Sequence, residues 1–442
     1  MFDPVMYDRD NPVGSYWQAS AGADVEGCNA LESDVSCDVA IIGGGYTGLS
    51  AAYHLARDSQ LDVRVLEAGV AGWGASGRNG GHCCFGGAGL GPGEIAKRFG
   101  EDVARENIAT QRESIELVDA LSDTHDMQID KHGRGSLCIA HHPSRVADLT
   151  EEAEMWRALG GFECEVFSGD EFNERCYTGP HAHGGMLFPF GFGLHPLKYA
   201  RALARLALAE GANIHAHSPV THWTGEGSRH LLRTPRGTLR AEKVLIATNG
   251  FTQDTLHPAV EGCLVPGISQ IVATRPLTDD ELAAHDWRAD FPLYDTRPLF
   301  SYLQVTPDKR LVLGGAGGFS GTEASRDNWR KFLSRRIAEM FPYWADAEIT
   351  HCWRGFVCFT RDRLTHLGAV ENDPSVFYSL AYHGNGVAMA TWSGRAIAGL
   401  LSGKSNSIIP TAMKQPLPRF RLPAIRKWSF YLRHARRFLL RS

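Results

Sequence analysis

The chain has 442 residues, 43% apolar, 21% charged and 10% aromatic, a composition that buries a large core and excludes a disordered or fibrous protein. A formal net charge of -5, from 45 basic and 50 acidic residues, excludes a protein that coats nucleic acid through a basic excess. The charge is uneven, because residues 404–442 hold ten Lys or Arg and no acid, leaving a body of -15 beside a tail of +10.

The first residues, MFDPVMYDRDNPVGSYW, lack the basic-then-apolar block of a secretory signal. No stretch approaches the roughly 20 apolar residues of a membrane span, so the expected compartment is the cytoplasm. Ten cysteines without a CxxC pair suggest neither a zinc ligand set nor a disulfide framework.

In chain order, a strand is expected over 38–42, running into Gly43-Gly44-Gly45-Tyr46-Thr47-Gly48 and a helix over 49–57. A second strand follows over 63–66, with Glu67 at its end. This is a βαβ opening. Apolar residues recur at helical spacing over 92–123, predicting one long helix. A strand over 137–140 and a helix over 144–159 come next, then an amphipathic helix over 196–210 that stops at Gly211. Short alternating segments over 214–239 end in a strand over 243–247 and Thr248-Asn249-Gly250. Proline-broken strands fill 268–313, a helix spans 326–340, and a strand over 376–381 meets His383-Gly384-Asn385-Gly386-Val387 and a last helix.

A GxGxxG that closes a strand, opens a helix and precedes an acid at the next strand end is a dinucleotide cradle. Gly43 makes the tight turn, Gly45 lets the backbone approach a pyrophosphate, Gly48 lets helix and strand pack closely, and the helix N-terminus faces the phosphate charge. Tyr46 and Thr47, within that turn, are expected to bind the cofactor as well. Glu67 would accept hydrogen bonds from a ribose and repel a 2′-phosphate, so the ligand is FAD or NAD and not NADP. After Ala68 a second loop dense in small and hydrogen-bonding residues holds Gly72, Trp73, Gly74, Ala75, Ser76, Gly77, Arg78, Asn79, Gly80 and Gly81. A long flavin needs such a second cradle, whereas a nicotinamide enzyme moves on to another βα unit.

At this loop the sequence resembles the FAD-dependent D-amino-acid-oxidase-like family, in which a GxxxSGRNGG-type loop runs along the pyrophosphate and flavin. The 247–250 segment resembles that family's second strand-to-loop motif, and 382–387 resembles its GxGHGV-type closing motif. The resemblance implies an α/β fold: a discontinuous Rossmann-like FAD-binding domain from 1–90, 155–250 and 351–405, with Val220 on the cofactor. A substrate lobe from 91–154 and 251–350 would be α+β, built on a mostly antiparallel sheet, with 406–442 as a basic amphipathic tail. Within the family it runs to flavin amine oxidases of putrescine breakdown, carried also by Ser15-Tyr16-Trp17, Gly193-Leu194-His195-Pro196-Leu197, Trp353, Gly355 and Asp362-Arg363-Leu364. Two departures stand out. Asn385 replaces the family's usual His, and His383 replaces a Ser.

A strand ending in Gly384-Asn385-Gly386 and opening a helix at Val387 presents unpaired N–H groups and a positive dipole end. These would stabilise the anion that develops on a flavin ring during hydride acceptance. FAD is expected to be non-covalent, because the loop position that tethers flavin in some relatives falls on Asn79 and Cys358 does not line up with the other. Tyr302, with Tyr294 and Gln304, is the candidate pocket wall. His383 is a pocket or packed histidine, and His195 is a site or turn-capping one.

The chemistry implied by the resemblance is hydride transfer from the carbon beside an amine to flavin N5, giving an imine that hydrolyses to aldehyde plus ammonia. A gamma-glutamylated diamine is the favoured substrate and oxygen or another acceptor the oxidant. An alkylamine of pKa about 10.4 must be neutral to react, and depressing it by about three units takes roughly 4 kcal/mol, which an apolar pocket supplies by desolvation without a dedicated base. The alternative is a D-amino-acid, glycine or sarcosine-type oxidase, with Arg297 or Arg354 as a carboxylate clamp. From other classes stand an RNA-associated flavoprotein gripping RNA through the tail and a flavin-binding assembly subunit without turnover.

In the tail, Phe420, Leu422, Ile425, Trp428, Phe430, Tyr431, Phe438 and Leu439 interleave with Arg419, Arg421, Arg426, Lys427, Arg433, Arg436 and Arg437. From 423 onward this fits a helix lying on a membrane surface or a segment docked on an acidic body. Docking is the expectation.

Overall fold

In a computed structural model, which describes residues 2–404, 408–428 and 431–432, the strand Val35–Ile42 lies inside an eight-stranded sheet. Its last four residues are all buried, the pattern of a parallel strand covered on both faces. The main path of the sheet runs His366–Val370, Asp373–Leu380, Thr238–Ile246, Val35–Ile42, Val63–Leu66, Asn213–His215. All pairs from Asp373–Leu380 onward are parallel. Because the chain builds outward on one side of Val35–Ile42 and then returns to the other, a crevice opens at the C-terminal ends of Val35–Ile42 and Thr238–Ile246. Such a switch point is where α/β sheets take ligands.

The second eight-stranded sheet runs Ile349–Phe359, Val265–Pro276, Arg310–Ala316, Tyr302–Val305, Leu293–Asp295, Ser136–Ile139, Gly184–Phe188, Glu165–Ser168. It is antiparallel except where Leu293–Asp295 meets Ser136–Ile139. The architecture is therefore a Rossmann-like unit joined to an antiparallel lobe.

Strand membership moves two expected boundaries. Glu165–Ser168 and Gly184–Phe188 fall inside the expected flavin segment 155–250 but pair in the second sheet, because Phe167 and Phe172 bury in the core shared with Leu333 and Ile337 of the helix Glu323–Met340. Ile349–Phe359 likewise pairs along Val265–Pro276. The helix expected over 92–123 is two, Pro92–Phe99 and Glu101–Thr124, broken at Gly100 with φ of 97°.

Two helices meet end to end with the crevice. Tyr46–Asp58 and Gly386–Ser402 cross so closely that a Cβ on Gly394 would lie 2.5 Å from Thr47 O. Ser50 Oγ donates to Thr391 O at 2.7 Å, and the Thr47 and Tyr382 hydroxyls pair at 2.6 Å. Both N-termini thus open side by side.

Among the described residues no helix is long and apolar enough to cross a membrane. The described tail packs on the chain's own acidic body. Arg426 Nη2 meets both Asp254 oxygens at 2.8 and 2.6 Å, Arg426 Nε donates to Leu264 O, and Arg419 pairs with Glu261 at 2.8 Å. Tyr431 buries with Phe2, Met6, Ile268 and Phe356, and Lys427 Nζ sits 3.8 Å above the Phe2 ring. Leu422, Ile425, Trp428 and Leu432 face outward. Phe430, Arg433, Arg436, Arg437, Phe438 and Leu439 lie outside the described residues. Cutting the chain after Gly403 should lower Tm by a few degrees in a thermal-denaturation scan. An unchanged Tm, with loss of the full chain's co-sedimentation with anionic vesicles, would make the tail a membrane contact instead.

Candidate functional site

A cavity of about 1010 Å³ follows the crevice and continues between the two sheets. At its first end the glycine turn works by close approach. Gly43 has φ of 112°, and a Cβ there would lie 2.8 Å from Ala247 O, so only glycine lets the two strand ends converge. Gly43, Gly45, Tyr46 and Thr47 line the wall, as do Glu67, Ala68 and Val220. Gly48 does not. Its place is behind the turn, where a Cβ would sit 2.0 Å from Gly43 O. Glu67 Oε2 accepts from Gly44 N at 2.6 Å and Oε1 from Gly69 N at 2.7 Å. Burial pushes this carboxyl up against the pull of those amides, and each oxygen keeps lone pairs for a diol.

The second loop is hung from outside. Trp353 Nε1 donates to Arg78 O at 2.8 Å, Trp17 Nε1 to Asn79 O at 2.9 Å, and Gln304 Nε2 to Gly80 O at 2.5 Å. Three successive carbonyls are thus held by three distant parts of the chain, while Asn79 ties the loop internally to Ala75 O, Ser76 O and Gly81 N. Gly74, Ala75, Ser76, Arg78, Asn79 and Gly80 face the cavity. Gly81 does not, being pressed against Leu194 O. Arg78 stacks 4.2 Å over Trp73 and donates Nε to Trp73 O, yet its buried Nη2 has no partner.

At the far side Gly384, Asn385, Gly386 and Val387 line the cavity at the start of the 17-residue helix Gly386–Ser402. Asn385 makes no side-chain cap bond; Nδ2 donates to Gln111 and its buried Oδ1 is unpartnered. The first-turn amides are therefore uncapped by a side chain and point a partial positive charge at the cavity. His383 holds φ of 52°. Its Nε2 donates to Leu364 O at 3.0 Å, which leaves the buried Nδ1 as an acceptor without a partner. Burial lowers its pKa to about 4, so the ring is neutral. Thr248 and Asn249 also reach the wall, and Asn249 Oδ1 accepts from Ala381 N, tying two strand ends.

Tyr302 and Tyr294 line the cavity. The Tyr302 ring lies where Cβ atoms on Gly80 and Gly314 would be, at 2.7 and 2.2 Å. Its hydroxyl bonds Ser269 Oγ at 2.7 Å, and burial pushes its pKa up to about 12. Three expected roles are corrected. His195 is off the wall, capping the helix Pro196–Ala209 by accepting from Lys198 N at 3.1 Å and pairing with Ser20 Oγ. Gln304 holds loop 78–81 instead of facing a ligand. Arg354 is consumed by Glu323 at 2.6 Å and by Gly321 O and Thr322 O. Arg297 does line the cavity, bonded to Asp295 at 2.5 Å. Reasoning from sequence missed His82, whose ring is edge-on to Tyr302 at 5.7 Å and whose pKa burial lowers to about 3.

These residues fit FAD. The glycine cradle, the unpartnered Arg78 Nη2, the carboxylate at the strand end and the uncapped helix start are the complements of pyrophosphate, ribose and an electron-accepting ring.

The model of the family described as DAO, FAD dependent oxidoreductase, matches residues 38–400. The chain is 29% identical to gamma-glutamylputrescine oxidoreductase of Escherichia coli (strain K12) over 391 residues, 88% of this chain and 89% of that one. It is 32% identical to the probable oxidoreductase OrdL of Rhizobium meliloti (strain 1021), covering 84% of each. Glycine oxidase from Geobacillus kaustophilus superposes with a TM-score of 0.71 at 22% identity, over 87% of this chain and 99% of that structure.

A Cβ on Gly45 would lie 2.8 Å from Ser76 Oγ, the atom that accepts from Tyr46 N. The Gly45→Val variant should lose its flavin, read as the 450 nm-region absorbance per protein after gel filtration. Full occupancy would show that this turn is not the cradle.

Proposed function

We propose, on the premise that this chain belongs to the DAO family of FAD-dependent oxidoreductases, that it oxidises an amine C–N bond and that a gamma-glutamylated diamine is its favoured substrate. Bound FAD supplies hydride acceptance at its N5. The observation that carries the reading is that the ionisable rings around the inner cavity are all neutral in the physiological range. Burial lowers His82 to about 3 and His383 to about 4 and raises Tyr302 to about 12. Rings of this kind favour the uncharged form of an amine by desolvation, and hydride transfer needs none of them as a base. The uncapped amides at the helix start, Gly386 and Val387, would face negative charge developing on a bound flavin. The product imine then hydrolyses to aldehyde plus ammonia.

The substrate choice is supported by the likeness to gamma-glutamylputrescine oxidoreductase of Escherichia coli. A second reading, oxidation of a small amino acid, is favoured by Arg297 on the wall. The reading includes oxygen or another electron acceptor as co-substrate and a cytoplasmic location. Attachment is non-covalent. Asn79 cannot bond the ring, and burial keeps the cavity thiols protonated, pushing Cys84 up to about 12 and Cys358 higher still.

Acid precipitation should release the flavin into the supernatant; yellow colour in the pellet would overturn non-covalent binding. Anaerobic mixing with gamma-glutamylputrescine should bleach the flavin, at a rate that climbs from pH 6 to 9. The sign is fixed by the substrate, since raising pH creates neutral amine while His82 and His383 stay uncharged throughout. Faster bleaching by D-alanine, glycine or sarcosine would favour the second reading. Asn385→His should change the reduction rate more than the substrate affinity.

A further inference from the structure

One part of the cavity wall is an aromatic chamber that includes Phe85, Glu152, Trp156, Phe188 and Tyr294. Phe85, Trp156 and Phe188 pack mutually, with ring centroids 5.2 to 5.8 Å apart. Into this apolar surface the helix Arg145–Gly160 directs one carboxylate. Glu152 Oε1 accepts from Trp156 Nε1 at 3.2 Å, and among the described residues Glu152 has no ion-pair partner. The other acids on the cavity wall are engaged. Glu67 is held by two backbone amides, and Asp295 by Arg297 and by the amides of Arg297 and Ser301.

Burial holds the Glu152 carboxyl above the usual carboxylate range, so its charged form, beside the Trp156 indole in an apolar wall, gains most from a cationic partner such as an alkylammonium. The carboxylate neutralises its charge and the ring faces attract it through their quadrupoles. We propose that Glu152 seats a positively charged nitrogen of the substrate remote from the carbon that is oxidised, so that the chamber selects amines carrying a second cation. This rests on the amine-oxidising reading above and adds a division of labour. The nitrogen at the flavin is stripped of its proton by desolvation, and the remote nitrogen keeps its proton and anchors the chain. Length between the two nitrogens then becomes a selection criterion that a monoamine cannot meet.

The test uses the flavin-loaded protein, anaerobic, with α,ω-diamines and monoamines of matched chain length, followed by flavin bleaching and by calorimetry, which reports binding whether or not flavin is reduced. The wild-type protein should bind the diamine at least tenfold more tightly than the matched monoamine. Glu152→Gln should collapse that ratio to within about twofold of unity, and Glu152→Asp should restore part of it. A ratio near unity in the wild-type protein, or one that survives in Glu152→Gln, overturns the proposal. If no amine bleaches the flavin while the calorimetric preference for diamines still depends on Glu152, the amine-oxidation reading falls and the ammonium site stands. Flavin content and Tm of each variant identify a folding defect, in which case Glu152→Asp carries the comparison.

Discussion

The arrangement depends on three hydrogen bonds to three consecutive carbonyls. Arg78, Asn79 and Gly80 sit in a loop with no ladder partner, and their oxygens point away from the cavity into the protein. Each such bond contributes about 1 kcal/mol net, but a buried carbonyl left without a donor costs about 1–3 kcal/mol. The donors come from a helix near the start of the chain and from two strands of the second sheet. The loop therefore has its shape only when both lobes are folded and docked. Tyr302 reinforces this, since its ring fills the space that two glycines leave open.

A second constraint is charge. Two helix N-termini open onto one cavity, one with Tyr46 N capped by Ser76 Oγ and the other without a side-chain cap. Burial is the main reason that His82 and His383 stay unprotonated, with neighbouring His132 and His366 acting in the same direction. The result is a site in which hydrogen-bonding groups are abundant and in which His82, His383 and Tyr302 stay uncharged near neutral pH. Such a site can favour the neutral form of a bound amine without any residue changing its own protonation.

Much of this was legible in the sequence because it is local. The glycine turn, the acid at the next strand end, the second glycine loop and the closing motif each declare themselves within about ten residues, and each lies on the cavity. What escaped was non-local. Gln304 reads as a pocket-wall residue and Trp353 only as part of the resemblance, and the folded chain alone shows them holding the loop. His195 precedes a helix, where a capping imidazole and a catalytic one read identically. The strands over 165–188 carry no mark of the sheet they join, because sheet membership is decided by partners far along the chain. Glu152 stands among acids on what reads as a solvated helix, and its inward direction follows from Trp156 one turn later.

The segments around Met6 and Tyr431 meet over the cavity, and Tyr7 and Tyr431 form part of its wall. A ligand bound against these tyrosines would add its binding free energy to the docking of the tail, so that occupancy of the cavity and burial of Tyr431 and Lys427 against Phe2 would reinforce one another.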